Sequence, residues 1–204
     1  MDPLILQKTQ KALDTLIRDK VLSLNTVSSE ELDLSFVAPN SEFVAELGNS
    51  PVINCYLIGI NEDKSRRRSE PMRSTLDETK TRRILIKEPK YVDISYMLTV
   101  WCKDKRGSAE IEHLLMGYLI CGLGMFDFMP EEILTLHQFE PNPYGIRFTL
   151  FGSEYSDKVS GQVWQAMGST PKPSLMLSLS VPIAVHEPTH LPVAREIDRT
   201  LNRK

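Results

Sequence analysis

The chain has little of what catalysis or covalent stapling requires. Only three cysteines occur among 204 residues, Cys55, Cys102 and Cys121. They are far apart, odd in number and never set as C-x-x-C, which excludes a zinc knuckle or a dithiol redox pair. All three sit in apolar patterns, where free cysteine acts as a small hydrophobe, and a reducing cytoplasmic setting is expected. There is no glycine-rich phosphate loop: GLG at 122–124 runs into MFDFMP rather than into a helix opening with lysine. No serine or cysteine lies in a G-x-S-x-G type of nucleophile turn. No apolar run approaches ~18 residues, so no segment is expected to span a membrane. The opening MDPLILQKTQKALDTLIRDK lacks the basic start, apolar stretch and cleavage site of a signal peptide. A net charge of −3 argues against a globally basic nucleic-acid binder.

What remains is a globular composition, 41% hydrophobic and 25% charged. The length suits one domain with a tail, large enough to bury a core without metals or disulfides. The pattern predicts an α/β (α+β) domain over residues 1–185, with a mixed sheet of four to five strands and about three helices. Residues 186–204 form a polar tail.

Leu6, Leu13, Leu16, Ile17 and Leu24 recur at helical spacing, and Pro3 suits a helix start. Leu32–Ala38 alternates as a strand until Pro39, and Asn40–Pro51 is turn-rich. VINCYLIGIN at 52–61 is apolar on nearly both faces, the mark of a strand covered on both sides. The strongest local signal is YVDISYMLTVWCKDKRGSAEIEHLLMGYLIC, Tyr91 to Cys121. It places Val92, Ile94, Tyr96, Leu98, Val100 and Cys102 on one strand face. A short charged turn then leads to a helix striped by Ile111, Leu114, Leu115, Tyr118 and Leu119. PEEIL suggests one helical turn behind Pro130. Ile146–Phe151 reads as a short strand. Ser156 is a candidate cap for a helix with Val159, Val163, Trp164 and Met167 inward. LMLSLSVPIAV at 175–185 alternates cleanly, and Pro182 marks an edge or a bend.

Residues 62–90 interrupt this order. Between Lys64 and Arg83 stand eight Lys or Arg against three Asp or Glu, a local excess of five positive charges. Long insertions in compact domains are usually functional or mobile. Within it, RILI at 83–86 could form a short edge strand ended by Pro89. Arg66, Arg67, Arg68, Arg82 and Arg83 are the candidate partner-contact residues. No aromatic residue interleaves them, so base stacking is unsupported. A solvated loop, an acidic protein surface and nucleic acid are the alternatives for this stretch.

HEPTH, His186–His190, fits H-E-x-x-H in form. That motif needs both histidines on one helix face around zinc, with the glutamate as general base. Pro188 opposes a helix through the string, and a strand precedes it. The plain reading is a strand exit with two histidines. A zinc-dependent hydrolase using His186, Glu187 and His190 is an alternative, as is a nucleic-acid-associated protein using the basic loop.

Several segments together resemble one family. VINCYLIGINEDKSRRR looks like its strand, polar turn and arginine; YVDISYMLTVWCKD looks like its central strand, and IEHLLMGYLICGL like the helix that follows. SGQVWQAMGSTPKPSLMLSLSVPI is similar to its closing Trp-containing helix, turn and Ser-led strand. These segments resemble the cap, or tube-terminator, proteins of contractile injection systems, over most of residues 4–185. The resemblance implies a structural protein without catalysis and without cofactor or metal. It implies a homo-oligomeric ring, expected to be a hexamer, that ends the inner tube and engages the last sheath layer. Its expected partners are the tube protein and the sheath protein, with no nucleic acid and no membrane insertion. The chain would be cytoplasmic at synthesis and part of a phage-tail-like particle that is released or docked. Such contacts can use strand addition at an exposed sheet edge, with Leu175–Val185 or Arg83–Ile86 as candidates, and the basic loop against tube or sheath.

Overall fold

The computed structural model describes residues 2–23, 32–66, 73–78, 81–103, 107–140, 144–151, 161–184 and 189–192. Its spine is β5, Lys90–Trp101, flanked by β2, Val52–Glu62, and β7, Ser174–Ile183. β1, Asp33–Ser35, and β6, Arg147–Leu150, complete a five-stranded sheet in the order β1-β2-β5-β7-β6. The β1–β2 pair is parallel and the rest antiparallel, so the sheet is mixed as expected.

The strict alternation of β5 divides its side chains between two cores. Ile94, Tyr96, Leu98 and Val100 enter the larger one with Ile53, Cys55, Leu177 and Leu179. That core is closed by α1, Ile5–Leu16, which runs on as a wider π-type segment Ile17–Leu22, and by α3, Ser108–Leu123. α4, Glu131–Leu136, adds Ile133 and Leu134 behind Pro130. On the opposite face Met97, Trp101 and Met176 meet Trp164 and Leu47. Trp164 comes from α5, Gly161–Met167; Phe43, from α2, Ser41–Ala45, meets Trp101 edge-on. Coverage on both faces explains why β2 lacks a polar side.

Three expectations change. The α3 stripe is rotated: Glu112, Leu115, Leu119, Gly122 and Leu123 are buried, whereas Ile111 and Leu114 are exposed. An almost uniformly apolar helix carries no phase information, so spacing alone could not choose its inner face. α2 was hidden in a stretch of turn-forming residues; its Asn40 N-cap accepts a hydrogen bond from Phe43 N. Of the two candidate edge strands, Arg83–Ile86 is not an edge, and β7 is one only beyond its pairing with β6. β7 lies between β5 and β6. β4, Arg82–Ile86, lies between β3, Arg73–Leu76, and β8, Thr189–Pro192, in a second sheet. Pro89 follows β4 but does not mark an edge, because β4 is paired on both sides through residues far away in sequence. Pro182 lies beyond the last β6 pair, Arg147 with Ser180, where β7 keeps only β5 beside it. Ser156 and Val159 are outside the described residues.

Candidate assembly surfaces

The five candidate arginines do not act alike. Arg66 ends a single 3-10 turn, Lys64–Arg66, just after β2. Its guanidinium lies 4.1 Å from the centre of the Tyr91 ring. It donates to the carbonyls of Tyr144 at 2.8 Å and Ser180 at 3.2 Å. Arg66 is therefore held within the fold. Arg82 and Arg83 stand exposed on β4. Arg67 and Arg68 are outside the described residues.

Beneath Arg66 lies Asp63, 4% exposed. Its carboxylate accepts from Ser65 N at 2.9 Å, Ser65 Oγ at 2.6 Å, Arg66 N at 3.3 Å and Ser180 Oγ at 2.6 Å. Arg147 from β6 completes the set at 3.3 Å. Burial pushes the Asp63 pKa up, but the hydrogen bonds from Ser180, Ser65 and the turn outweigh it and hold the carboxyl below its ordinary range. Burial lowers the Arg66 pKa. This cluster fastens the exit of β2 to β5, β6 and β7. The sequence stretch Asp63-Lys64-Ser65 carried the signal for it, an aspartate placed to cap its own turn.

The second sheet, β3-β4-β8, pairs with no strand of the main sheet among the described residues and is termed the arm. Direct cross-strand partners share a face, so Leu76, Arg83 and Leu191 form one row across β3, β4 and β8. Leu76 is 52% and Leu191 43% exposed. One cation thus stands between two open leucines. Among the arm side chains described, none belongs to either core. β8 also decides the HEPTH string: Thr189 and His190 are extended, and His190 pairs with Ile84. Because Thr189 and His190 are in a strand, no helix runs through to His190, as zinc binding by this motif requires. His186, Glu187 and Pro188 are outside the described residues, among which no group of metal-ligating side chains gathers.

A groove of about 170 Å³ opens where α1, α4 and the end of β7 meet. Ile5, Leu134, Phe139 and Ile183 supply its apolar wall, and Asp2, Glu131 and Glu140 its charge; no Lys or Arg lines it. Asp2 is paired with Lys8 at 2.6 Å. Glu131 and Glu140 are exposed and form no ion pair among the described residues. Sequence reading missed this groove, since Pro130-Glu131-Glu132 looks like an ordinary acidic helix start.

The model of the Pvc16 N-terminal domain matches residues 8–195. The chain belongs to that family. Two solved structures share the fold of this chain. One is the sheath/tube terminator of the extracellular contractile injection system PVC in its extended state, at TM-score 0.68 and 17% identity. The match covers 97% of this chain and 63% of that one. The other is the tube-terminating cap of the anti-feeding prophage, at TM-score 0.65 and 16% identity, covering 95% of this chain and 60% of that one. The chain therefore spans about three fifths of each terminator. No curated protein sequence matches it. Among the described residues, no helix of this Pvc16 N-terminal domain protein is long and apolar enough to cross a membrane.

Proposed function

We propose that the chain is a structural cap subunit that terminates the inner tube of a contractile injection particle and engages its last sheath layer, without catalysis. The observation that carries this reading is the fold shared with two tube terminators over 97% and 95% of the chain. The subunit works as a closed ring, six copies in the expected form, because a terminator must match the rotational order of the tube it ends. Its sites are surfaces. Asp63 and Arg66 spend their hydrogen bonds on Ser180 and Tyr144 within the fold, where they anchor the exit of β2. Arg82 and Arg83, with Arg67 and Arg68, are the basic contact surface toward another subunit of the particle. Particles are assembled in the cytoplasm and are released or docked from there.

Expression of the particle genes with and without this chain tests the reading. Electron microscopy is expected to show tubes of uniform length ending in a cap when it is present. Without it, tubes of scattered length or sheaths that slip off are expected. Uniform, capped particles lacking the chain would overturn the proposal. Salt-resistant hydrolytic activity with stoichiometric zinc, lost in His190→Ala, would favour the hydrolase instead.

A further inference from the structure

The arm and the groove are complementary. The arm presents Arg83 between Leu76 and Leu191, all in one cross-strand row. The groove presents the carboxylates of Glu131 and Glu140, which form no ion pair among the described residues, beside the apolar wall of Leu134, Phe139 and Ile183. A short three-stranded sheet with Leu76 and Leu191 exposed on one face buries little apolar surface there, so a covering partner is expected. The arm does not fill its own groove, because none of its described residues lines it.

We propose that the arm of one copy docks in the groove of the next copy, with Arg83 between Glu131 and Glu140 and the two leucines against the apolar wall. This rests on the ring reading above. The occupant is a second copy, because charge and apolar character match in both directions on one chain. Two different patches meeting head to tail make a heterologous contact, the kind that closes a ring. Both patches also lie at one end of the main sheet. β2 runs into the arm after Glu62, and β7 ends in the groove at Ile183, paired with Lys90 at the start of β5. A rotation about an axis roughly along the strands keeps them level, as a cyclic contact needs. An ion pair enclosed by leucines is screened less than an exposed one, so the contact tolerates moderate salt.

The test joins two singly substituted populations of the full chain, in a Cys102→Ser, Cys121→Ser background. One carries Thr189→Cys, on the same arm face as Leu191, and a mass tag; the other carries Thr135→Cys in the groove wall. Oxidation of the mixture is expected to give tagged–untagged disulfides and few tagged–tagged ones. Mainly tagged–tagged products would mean that arms pair edge to edge, and would overturn the proposal. In parallel, Arg83→Glu is expected to abolish the oligomer by light scattering. Adding Glu131→Arg and Glu140→Arg to the same chain is expected to restore it. A ring that survives Arg83→Glu overturns the arm–groove contact but leaves the ring reading intact; if such rings also fail to cap tubes, the arm serves the tube or sheath instead. A wild-type chain that stays monomeric even with tube ends present overturns both.

Discussion

Asp63 shows how one residue couples charge to architecture. It is nearly sealed from solvent yet stays ionised, because hydrogen bonds from Ser180, Ser65 and the turn offset the cost of burial. Its folded-state pKa lies below the ordinary 3.8. The stabilisation is therefore fully present above about pH 4 and is lost as pH falls through the folded value. Asp63→Asn is expected to cost roughly 2 kcal/mol at pH 7, since donors built around a carboxylate lose their charged acceptor. Urea unfolding of both proteins across pH should show the gap narrowing below pH 4; a gap independent of pH would mean the charge contributes nothing. Gly122 is the second residue with a sharp consequence. A Cβ there would stand 2.5 Å from Val21 Cγ1, where α3 crosses the π-type segment. Gly122→Ala should therefore cost about 1–3 kcal/mol. Val21→Ala makes the missing room, so the double variant should be more stable than the sum of the singles predicts. Strict additivity in thermal melts would show that the helices simply slide apart.

At the level of elements, what the sequence made legible depended on how locally each element is specified. β5, β7 and β2 could be read because alternation or two-sided burial is written into contiguous residues. The arm could not be read in the same way. β3 and β4 lie in a polar insertion, and their third strand arrives from residue 189 onward, more than a hundred positions later. Nothing local in Thr189–Pro192 announces that pairing, and the H-E-x-x-H form of the string pointed to different chemistry. The inner face of α3 was lost for the opposite reason, too many apolar residues rather than too few. For the site, the basic stretch was visible but its division of labour was not. Arg66 is held inward by Tyr91 and Tyr144, and only distant residues could say so. This division yields a prediction about the arm as a unit. None of the described arm side chains contributes to either core. Replacing 73–86 with a short Gly-Ser turn and ending the chain after Ala184 should leave a cooperatively folded monomer whose melting temperature moves by only a few degrees. The Asp63–Arg66 cluster is kept in that variant. Loss of cooperative unfolding would show that the arm is part of the folding unit rather than an attachment to it.

For the whole molecule, the question is whether contacts around the assembly run head to tail. In an isologous contact both partners present the same patch, so a damaged patch meets its own damaged copy. In a heterologous ring each copy contributes one arm and one groove to two different contacts. Consider a first variant, Arg83→Glu, with a reversed arm and a native groove. A second variant, Glu131→Arg with Glu140→Arg, has a native arm and a reversed groove. Alone, each forms only like-charge contacts, which are repulsive, and each is expected to remain monomeric. Mixed in equal amounts, they can alternate: the acidic arm of the first enters the basic groove of the second, and the basic arm of the second enters the acidic groove of the first. Every contact is then attractive, but alternation closes only when the number of copies is even. A six-membered assembly should therefore reappear in the equimolar mixture at full mass by light scattering, and fall away as the ratio departs from one to one. A ring of odd order would leave one mismatched contact and give open chains of mixed length. Two variants that stay monomeric together would mean that arm and groove do not meet. The same mixture thus reads the identity of the contact and the parity of the ring.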